Sequence, residues 1–132
     1  MVLVDTSVWI DFFAAKTAAH VVVLESLLAQ TVDVCLCGIV LSEVLQGIAD
    51  EKEFKETKRL FDALIFLPME RKTFLLSANI YRTLRKKGIT IRKPVDCMIA
   101  AVAIEHNARL LHNDRDFSAI ARGYGLRCVE HA

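Results

Sequence analysis

The chain has 132 residues, which is the size of one domain, and we expect a single domain over residues 1–132. Its 17 basic and 16 acidic residues give a formal net charge of +1, so the overall charge neither predicts nor excludes a nucleic-acid partner. Hydrophobic residues make up 54% of the chain, and this share is typical either of a large core or of an apolar surface kept for a partner.

The four cysteines indicate a reducing compartment. They form no C-x-x-C pair, and a secreted disulfide scaffold would be shorter and richer in cysteine. We therefore expect buried thiols and a cytoplasmic protein, with a metal site at Cys35 and Cys37 as the alternative. The opening residues lack the basic region of a signal peptide, and the longest apolar stretch, residues 97–104, is far shorter than the ~20 residues of a membrane span. We expect no membrane partner.

Short apolar runs alternate with longer helical patterns along the chain. In chain order they predict a strand at residues 2–4, helices at 8–13 and 18–29, a strand at 34–37, helices at 41–48 and 51–64, a strand at 65–67, helices at 72–87 and 94–104, a strand at 109–112, a helix at 117–122 and a last strand at 126–129. This alternation predicts an α/β fold with three layers, α/β/α, around a central parallel β-sheet.

Acidic residues follow two of the predicted strands and open two of the predicted helices. Asp5 comes directly after the first strand, and Asp114 and Asp116 follow the fourth. Ligands of open parallel sheets bind outside the carboxyl ends of the strands, so Asp5 and Asp114 converge if their strands flank the point where the strand order reverses. Asp96 lies in the first turn of a buried helix, and Glu43 lies about one turn into another.

Each acidic residue also has a purely structural interpretation. Asp5 could cap the helix that follows it, and first-turn carboxylates such as Asp96, Asp114 and Asp116 are favoured by the helix dipole. Glu43 lies opposite the apolar side of its helix, so exposure to solvent alone would explain it. One topology, however, places at least three of these acids at one edge of one sheet, and this coincidence favours a site.

Clustered carboxylates repel one another unless a hard divalent cation lies among their oxygens. Mg²⁺ and Mn²⁺ prefer carboxylate and water ligands, whereas zinc prefers histidine and cysteine, and the four histidines show no metal-ligand spacing. Such a site, with one or two ions, supports phosphodiester hydrolysis, because the metal lowers the pKa of a bound water and screens the charge on phosphorus.

A basic stretch leads directly into Asp96. Residues 71–95 contain eight lysines and arginines and no acidic residue. We expect the part nearest to Asp96 to contact the phosphate backbone of a nucleic acid. The alternative is a solvated helix face with basic residues at the helix end. The residues assigned to this contact are Arg85, Lys86, Lys87, Arg92 and Lys93.

Four segments together resemble the PIN-domain family and, within it, the VapC toxins of bacterial toxin–antitoxin pairs. They are VLVDTSVWI around Asp5, SEV around Glu43, PVDCMIAA around Asp96 and LHNDRDF around Asp114. Any one of these motifs is weak, but four in this order and at these spacings cover nearly the whole chain and are specific.

The resemblance implies roles for individual residues. It makes Asp5, Glu43, Asp96 and Asp114 metal ligands and members of the catalytic group, with Asp116 as an auxiliary acid in that group. Thr6 would supply a supporting hydroxyl. Many relatives carry threonine or serine two residues before the Asp114 position, where this chain has a histidine, and this departure removes one expected hydroxyl.

The resemblance also implies a Mg²⁺- or Mn²⁺-dependent endoribonuclease that acts as the toxin of a type II toxin–antitoxin pair, forms a homodimer and is neutralised by a VapB-type antitoxin. The alternatives are a nuclease of RNA processing and a PIN fold that binds without turnover. A phosphoacceptor receiver domain is disfavoured because no aspartate follows the third strand. A haloacid-dehalogenase-like phosphatase is disfavoured because Asp5 lacks a second acid two residues later.

Overall fold

The computed structural model of the chain describes residues 1–30 and 32–131. The strands are β1 (Val2–Val4), β2 (Val34–Cys37), β3 (Ile65–Leu67) and β4 (Arg109–Leu111). The helices are α1 (Thr6–Phe13), α2 (Ala19–Ala29), α3 (Gly38–Gln46), α4 (Glu51–Asp62), α5 (Arg71–Lys86), α6 (Pro94–Glu105) and α7 (Arg115–Tyr124).

The four strands form one parallel sheet in the order β3-β2-β1-β4. The helices pack in two groups, one of α1 to α4 and one of α5 to α7, and α3 also contacts α6. Because parallel crossovers are right-handed, the connections from β1 to β2 to β3 and the return from β3 to β4 cover opposite faces of the sheet. The predicted α/β/α architecture is therefore confirmed.

The most apolar segments lie at the centre of the molecule, as a sheet covered on both faces requires. Every residue of β1 and β2 is buried, and so are most residues of α6, which begins at Pro94 in its first turn. The expectation of buried thiols is confirmed for three of the four cysteines. All four cysteines are free; Cys128 is half-buried and the other three are buried.

The predicted strand at residues 126–129 is wrong, because only Cys128 bridges to the sheet, opposite Leu110. Two backbone hydrogen bonds hold this contact, from Leu110 N–H to the Arg127 carbonyl and from Val129 N–H to the Leu110 carbonyl, both 2.9 Å. The rest of the segment makes no further bridge to the neighbouring edge strand β4.

Two boundaries near the functional edge also differ from the sequence prediction. β4 ends at Leu111 and not at His112, because the Nδ1 atom of His112 accepts a hydrogen bond of 3.1 Å from the Asp114 N–H and the chain turns there. α7 begins two residues earlier than predicted, at Arg115, because Asp114 caps it. Within the described residues, no helix combines the length and apolar character that crossing a membrane requires.

Candidate metal centre

The carboxyl ends of β1 and β4 bring two of the predicted acids together. The strands are paired in parallel with Val4 opposite Leu111, and the Asp5 N–H donates a hydrogen bond of 2.9 Å to the Leu111 carbonyl. β1 connects onward to β2 on one side while β4 lies on its other side, so the strand order reverses between them. Asp5 and Asp114 therefore meet at the crevice where open α/β sheets bind ligands.

Three helices begin at this edge, and acidic side chains of the site cap two of them. Asp5 caps α1 by accepting the Ser7 N–H at 3.0 Å, and Asp114 caps α7 by accepting the Asp116 N–H at 2.9 Å. Asp96 lies in the first turn of α6. The capping interpretation is thus correct for Asp5, and Asp114, which was expected to be favoured only by the helix dipole, also caps its helix. Capping is compatible with a site. The positive ends of three helix dipoles also favour negative charge here.

Asp96, Asp114 and Asp116 form an acidic cluster in which one carboxylate oxygen of each lies within 4.8 Å of the other two. Asp96 and Asp116 are buried, and Asp114 is half-buried. Opposite oxygens on an octahedral Mg²⁺ are about 4.2 Å apart, twice the Mg–O distance of about 2.1 Å. In size and in ligand chemistry, these three carboxylates can therefore hold a hard divalent cation.

Two buried oxygens of this cluster support the same conclusion. In the part of the chain that the structure describes, neither Asp96 Oδ2 nor Asp116 Oδ2 has a hydrogen-bond partner, although Asp116 Oδ2 forms an ion pair with Arg92. Leaving a buried polar atom unpartnered is costly, and the cost is greater for a charged group. A cation among these oxygens would remove that cost, so the donor set fits a metal centre better than a structural network.

Burial and mutual repulsion raise the pKa values of two of the acids. The pKa of Asp96 rises to about 7, first because the side chain is buried and then because Asp114 and Asp5 repel its charge, while Lys93 acts in the opposite direction. Burial also raises the pKa of Asp5, and the hydrogen bonds from Ser7 limit this effect. Near neutral pH, Asp96 binds a proton readily in the absence of a metal.

Two basic residues act as counter-ions of the cluster. Lys93 Nζ lies 3.2 Å from Asp114 Oδ2, and Arg92 Nε lies 3.4 Å from Asp116 Oδ2. Burial would raise the pKa of Asp114, but the Asp116 N–H, Lys93 and Arg92 outweigh it and hold that pKa below its usual range. Asp114 therefore stays ionised while Asp96 takes up protons.

Glu43 approaches the edge from α3 and is held by a residue of α1. The Thr6 hydroxyl donates a hydrogen bond of 2.8 Å to Glu43 Oε1. Burial raises the pKa of the Cys37 thiol most, and the carboxylates of Asp5 and Glu43 raise it further. Both carboxylates therefore lie near the carboxyl end of β2, where Cys37 is the last residue. Asp5 and Glu43 stand beside the cluster of three aspartates and not among its closely spaced oxygens.

The sequence analysis missed a second hydroxyl, that of Ser7. Its Oγ donates a hydrogen bond of 2.5 Å to Asp5 Oδ2 and accepts one of 3.1 Å from the Asn113 N–H, so it joins the two loops that carry Asp5 and Asp114. The available signal was the Asp-Thr-Ser order, in which a hydroxyl two residues after a capping aspartate can return to its carboxylate.

The five basic residues predicted to contact RNA are all exposed but occupy different places. Arg92 and Lys93 lie at the acidic cluster. Lys87 donates a hydrogen bond of 2.6 Å to the Gly123 carbonyl, and the Arg85 guanidinium lies 5.7 Å from the Tyr81 ring centre. Of the five residues, Arg92 and Lys93 are therefore the two that contact the site.

Comparison with known proteins places this architecture in one family. A model of the PIN domain matches residues 2–123. The chain is 37% identical over 131 residues to Ribonuclease VapC11 of Mycobacterium tuberculosis, a match that covers 98% of both chains. VapBC2 of Rickettsia felis, solved bound to a promoter DNA fragment, has the same fold, with a TM-score of 0.76 and 21% identity over the full length of both chains.

A toxin–antitoxin complex of Klebsiella pneumoniae shows the same fold again, with a TM-score of 0.73 and 19% identity over 89% of this chain and 91% of that chain. The family match extends over all four acidic motifs and the whole parallel sheet. By its sequence, its topology and its acidic edge, the chain belongs to the PIN-domain family.

Proposed function

We propose that the protein is a Mg²⁺- or Mn²⁺-dependent endoribonuclease that hydrolyses RNA phosphodiester bonds and acts as the toxin of a type II toxin–antitoxin pair. The observation that carries this proposal is the cluster of Asp96, Asp114 and Asp116, in which the buried Asp96 Oδ2 has no hydrogen-bond partner among the described residues. Its context is a chain 37% identical to a ribonuclease along almost its whole length.

In this proposal, Asp5, Glu43, Asp96 and Asp114 hold one or two ions, and Asp116 assists as an auxiliary acid. A divalent ion bound there would supply an activated water and would screen the charge on the reacting phosphate. The chain's own contribution is to hold these carboxylates in place through helix caps and through the hydroxyl of Thr6 on Glu43.

The phosphate backbone would be held from the basic side of the site. Lys93 and Arg92 are exposed, and their cationic groups lie within 3.4 Å of the acidic cluster, so a phosphate at the cluster is within reach of both. Arg85, Lys86 and Lys87 would extend the positive path along the end of α5.

Replacing Lys93 with methionine should weaken RNA binding similarly for all sequences and should reduce the slope of log affinity against log salt by about 0.7, the value for one contact to a single strand. Binding can be followed by fluorescence anisotropy at several salt concentrations. Lys58→Met is the matched control, because Lys58 is exposed on α4 and pairs with Asp62. If the salt slope is unchanged in Lys93→Met and in the methionine variants of the four other predicted basic residues, the stretch is a solvated surface and does not contact RNA.

The nuclease proposal is tested by incubating the purified protein with RNA in Mg²⁺, in Mn²⁺ and in excess EDTA. We expect internal cleavage with either metal and none in EDTA. Continued cleavage in EDTA would exclude the metal mechanism. A protein that binds RNA with metal present but never cleaves it would instead be the non-catalytic binding module.

Expression of the chain alone should arrest bacterial growth, and co-expression with its cognate VapB-type antitoxin should restore it. The physical reason is that an antitoxin bound at the acidic edge would exclude RNA from it. Growth curves of the two strains give the readout, and the Asp96→Asn variant controls for burden from expression. Normal growth of the strain without antitoxin would favour a nuclease of RNA processing over a toxin.

We also propose that the protein is a homodimer. Large apolar side chains are exposed on β3 and α5, where Phe66, Phe74 and Leu75 are 53%, 46% and 62% exposed. Association with a second copy of the chain would remove such side chains from water. Light scattering at micromolar concentration should give twice the mass of the chain, and a monomer mass would contradict the dimer.

A further inference from the structure

A cavity of about 540 Å³ opens beside the acidic cluster. One wall is the loop from β4 into α7, from His112 to Arg115, together with Ser118 of α7. The opposite wall is the segment that follows α7, from Cys128 to His131. Asp114 belongs both to this cavity and to the acidic cluster, so a molecule bound across the two would pass directly from one to the other.

The size and the chemistry of the cavity suit a nucleoside better than a phosphate. Its volume lies within the roughly 300–1,000 Å³ of pockets that hold small-molecule ligands. On the walls, the Glu130 carboxylate offsets the single cation of Arg115, and Asp114 is paired with Lys93, so the cavity has no surplus of positive charge to hold a phosphate. An uncharged base and ribose need no such charge and can use the Ser118 hydroxyl, the arginine plane and the imidazoles.

The imidazole of His131 is fixed in the cavity wall by a chain of contacts. Its Nε2 lies 2.8 Å from the His112 carbonyl, and its ring packs on His20 with 5.5 Å between the ring centres. His20 is held in turn by Asp11, whose Oδ2 lies 2.6 Å from His20 Nε2. Because a carbonyl only accepts hydrogen bonds, His131 Nε2 carries a proton, and Nδ1 is left for another partner.

We propose that this cavity binds the nucleoside next to the phosphate that is cleaved, with His131 and Arg115 as its contacts. The inference rests on the proposed ribonuclease function and deepens it. The fixed ring and the exposed guanidinium give the base flat surfaces for stacking. The acidic cluster receives the neighbouring phosphate. The cavity thus determines where along the RNA chain the cluster acts.

The decisive variant fills the cavity. Ser118→Trp should weaken binding of a fluorescent single-stranded RNA by about tenfold or more, the size of the loss expected for one base contact. Mn²⁺ binding should stay unchanged, because the cluster oxygens are not altered. Ser26→Trp is the matched control on the exposed face of α2 and should bind RNA like the wild type.

A second pair of variants keeps the proposal testable if Ser118→Trp fails to fold, which loss of Mn²⁺ binding would reveal. His131→Ala should also weaken RNA binding, and His131→Gln, whose amide can still donate to the His112 carbonyl, should restore part of it. His106→Ala is the control, because His106 contacts the Pro68 carbonyl and not the cavity. Wild-type RNA affinity in a folded Ser118→Trp, or in His131→Ala if Ser118→Trp does not fold, would overturn the proposal.

These outcomes also separate the cavity from the nuclease proposal. If the wild type binds RNA through the cavity but does not cleave it in Mg²⁺ or Mn²⁺, the nuclease proposal fails and the nucleoside site stands. If the wild type cleaves RNA and folded Ser118→Trp binds and cleaves equally well, the nucleoside site fails and the nuclease stands. Loss of antitoxin binding with normal RNA binding would make the cavity a protein contact and would also overturn the inference.

Discussion

Replacing Asp96 with asparagine should lower the rate of RNA cleavage by about 100-fold or more. Asn keeps the shape of the side chain but removes the charge from an oxygen that is buried and has no hydrogen-bond partner among the described residues. A metal ion contributes several kcal/mol of charge stabilisation, and each 1.4 kcal/mol is a factor of ten in rate. The rate is measured on a labelled RNA oligonucleotide at saturating Mg²⁺.

The matched control for this experiment is Asp62→Asn. Asp62 is an exposed carboxylate of α4 that pairs with Lys58 at 3.1 Å, so its loss changes the same chemical group outside the site. Surface ion pairs of this kind contribute about 1 kcal/mol or less, and cleavage should stay at the wild-type rate. Normal cleavage by Asp96→Asn would remove Asp96 from the proposed catalytic group.

The same substitution should stabilise the metal-free protein at alkaline pH. The unfolded pKa of an aspartate is about 3.9, and folding raises the pKa of Asp96 to about 7. Between these values the folded state holds a proton that the unfolded state has lost, so stability falls as pH rises from about 4 to 7 and stays low above that. At about 1.4 kcal/mol for each pKa unit, the cost at pH 8 is on the order of 4 kcal/mol.

This prediction is checked by melting wild type and Asp96→Asn in EDTA at pH 5 and pH 8. The charged groups facing Asp96 are Asp114, Asp5, Asp116 and Lys93, and they remain in both proteins, so the difference between the two melting temperatures isolates Asp96. The melting temperature of the variant minus that of the wild type should be several degrees larger at pH 8 than at pH 5. An equal difference at both pH values would show that Asp96 carries no unfavourable charge in the fold.

Mg²⁺ should reverse the order of the melting temperatures of wild type and Asp96→Asn. Mg²⁺ binds the folded cluster and not the dispersed carboxylates of the unfolded chain, so it should raise the melting temperature of the wild type. Asp96→Asn lacks one ligand and should gain much less. A residue that served only as a helix cap would behave in another way, since its loss costs ~1 kcal/mol in either buffer.

Hydrophobic periodicity predicted the sheet and its helices well, because a parallel sheet covered on both faces needs strands that are apolar throughout. β1 and β2 meet that requirement without exception. The strand predicted at residues 126–129 is wrong although this segment has the apolar character of a strand, because only Cys128 bridges to β4. Whether a segment pairs along its whole length depends on its fit to a neighbouring strand that is distant in the chain, and its local pattern does not show that fit.

At the site, the sequence predicted which acidic residues lie at this edge of the sheet, but not which of them form the closely spaced cluster. Asp5 was expected among the metal ligands or as a helix cap, and in the structure it caps α1 while it stands beside the cluster. Asp116, expected as an auxiliary acid, lies in the cluster itself. Such distinctions depend on side-chain rotamers and on partners distant in the chain. The bond from the Asn113 N–H to the Ser7 hydroxyl spans 106 residues and leaves no local signal.

A Mn²⁺ titration by calorimetry shows whether the acidic edge of the sheet is a divalent-metal site. The wild type should bind one or two ions, and Asp96→Asn, Asp114→Asn and Asp116→Asn should each weaken binding by about tenfold or more, while Asp62→Asn should leave it unchanged. Mn²⁺ binding by all three cluster variants at the wild-type affinity would contradict a metal site at this edge.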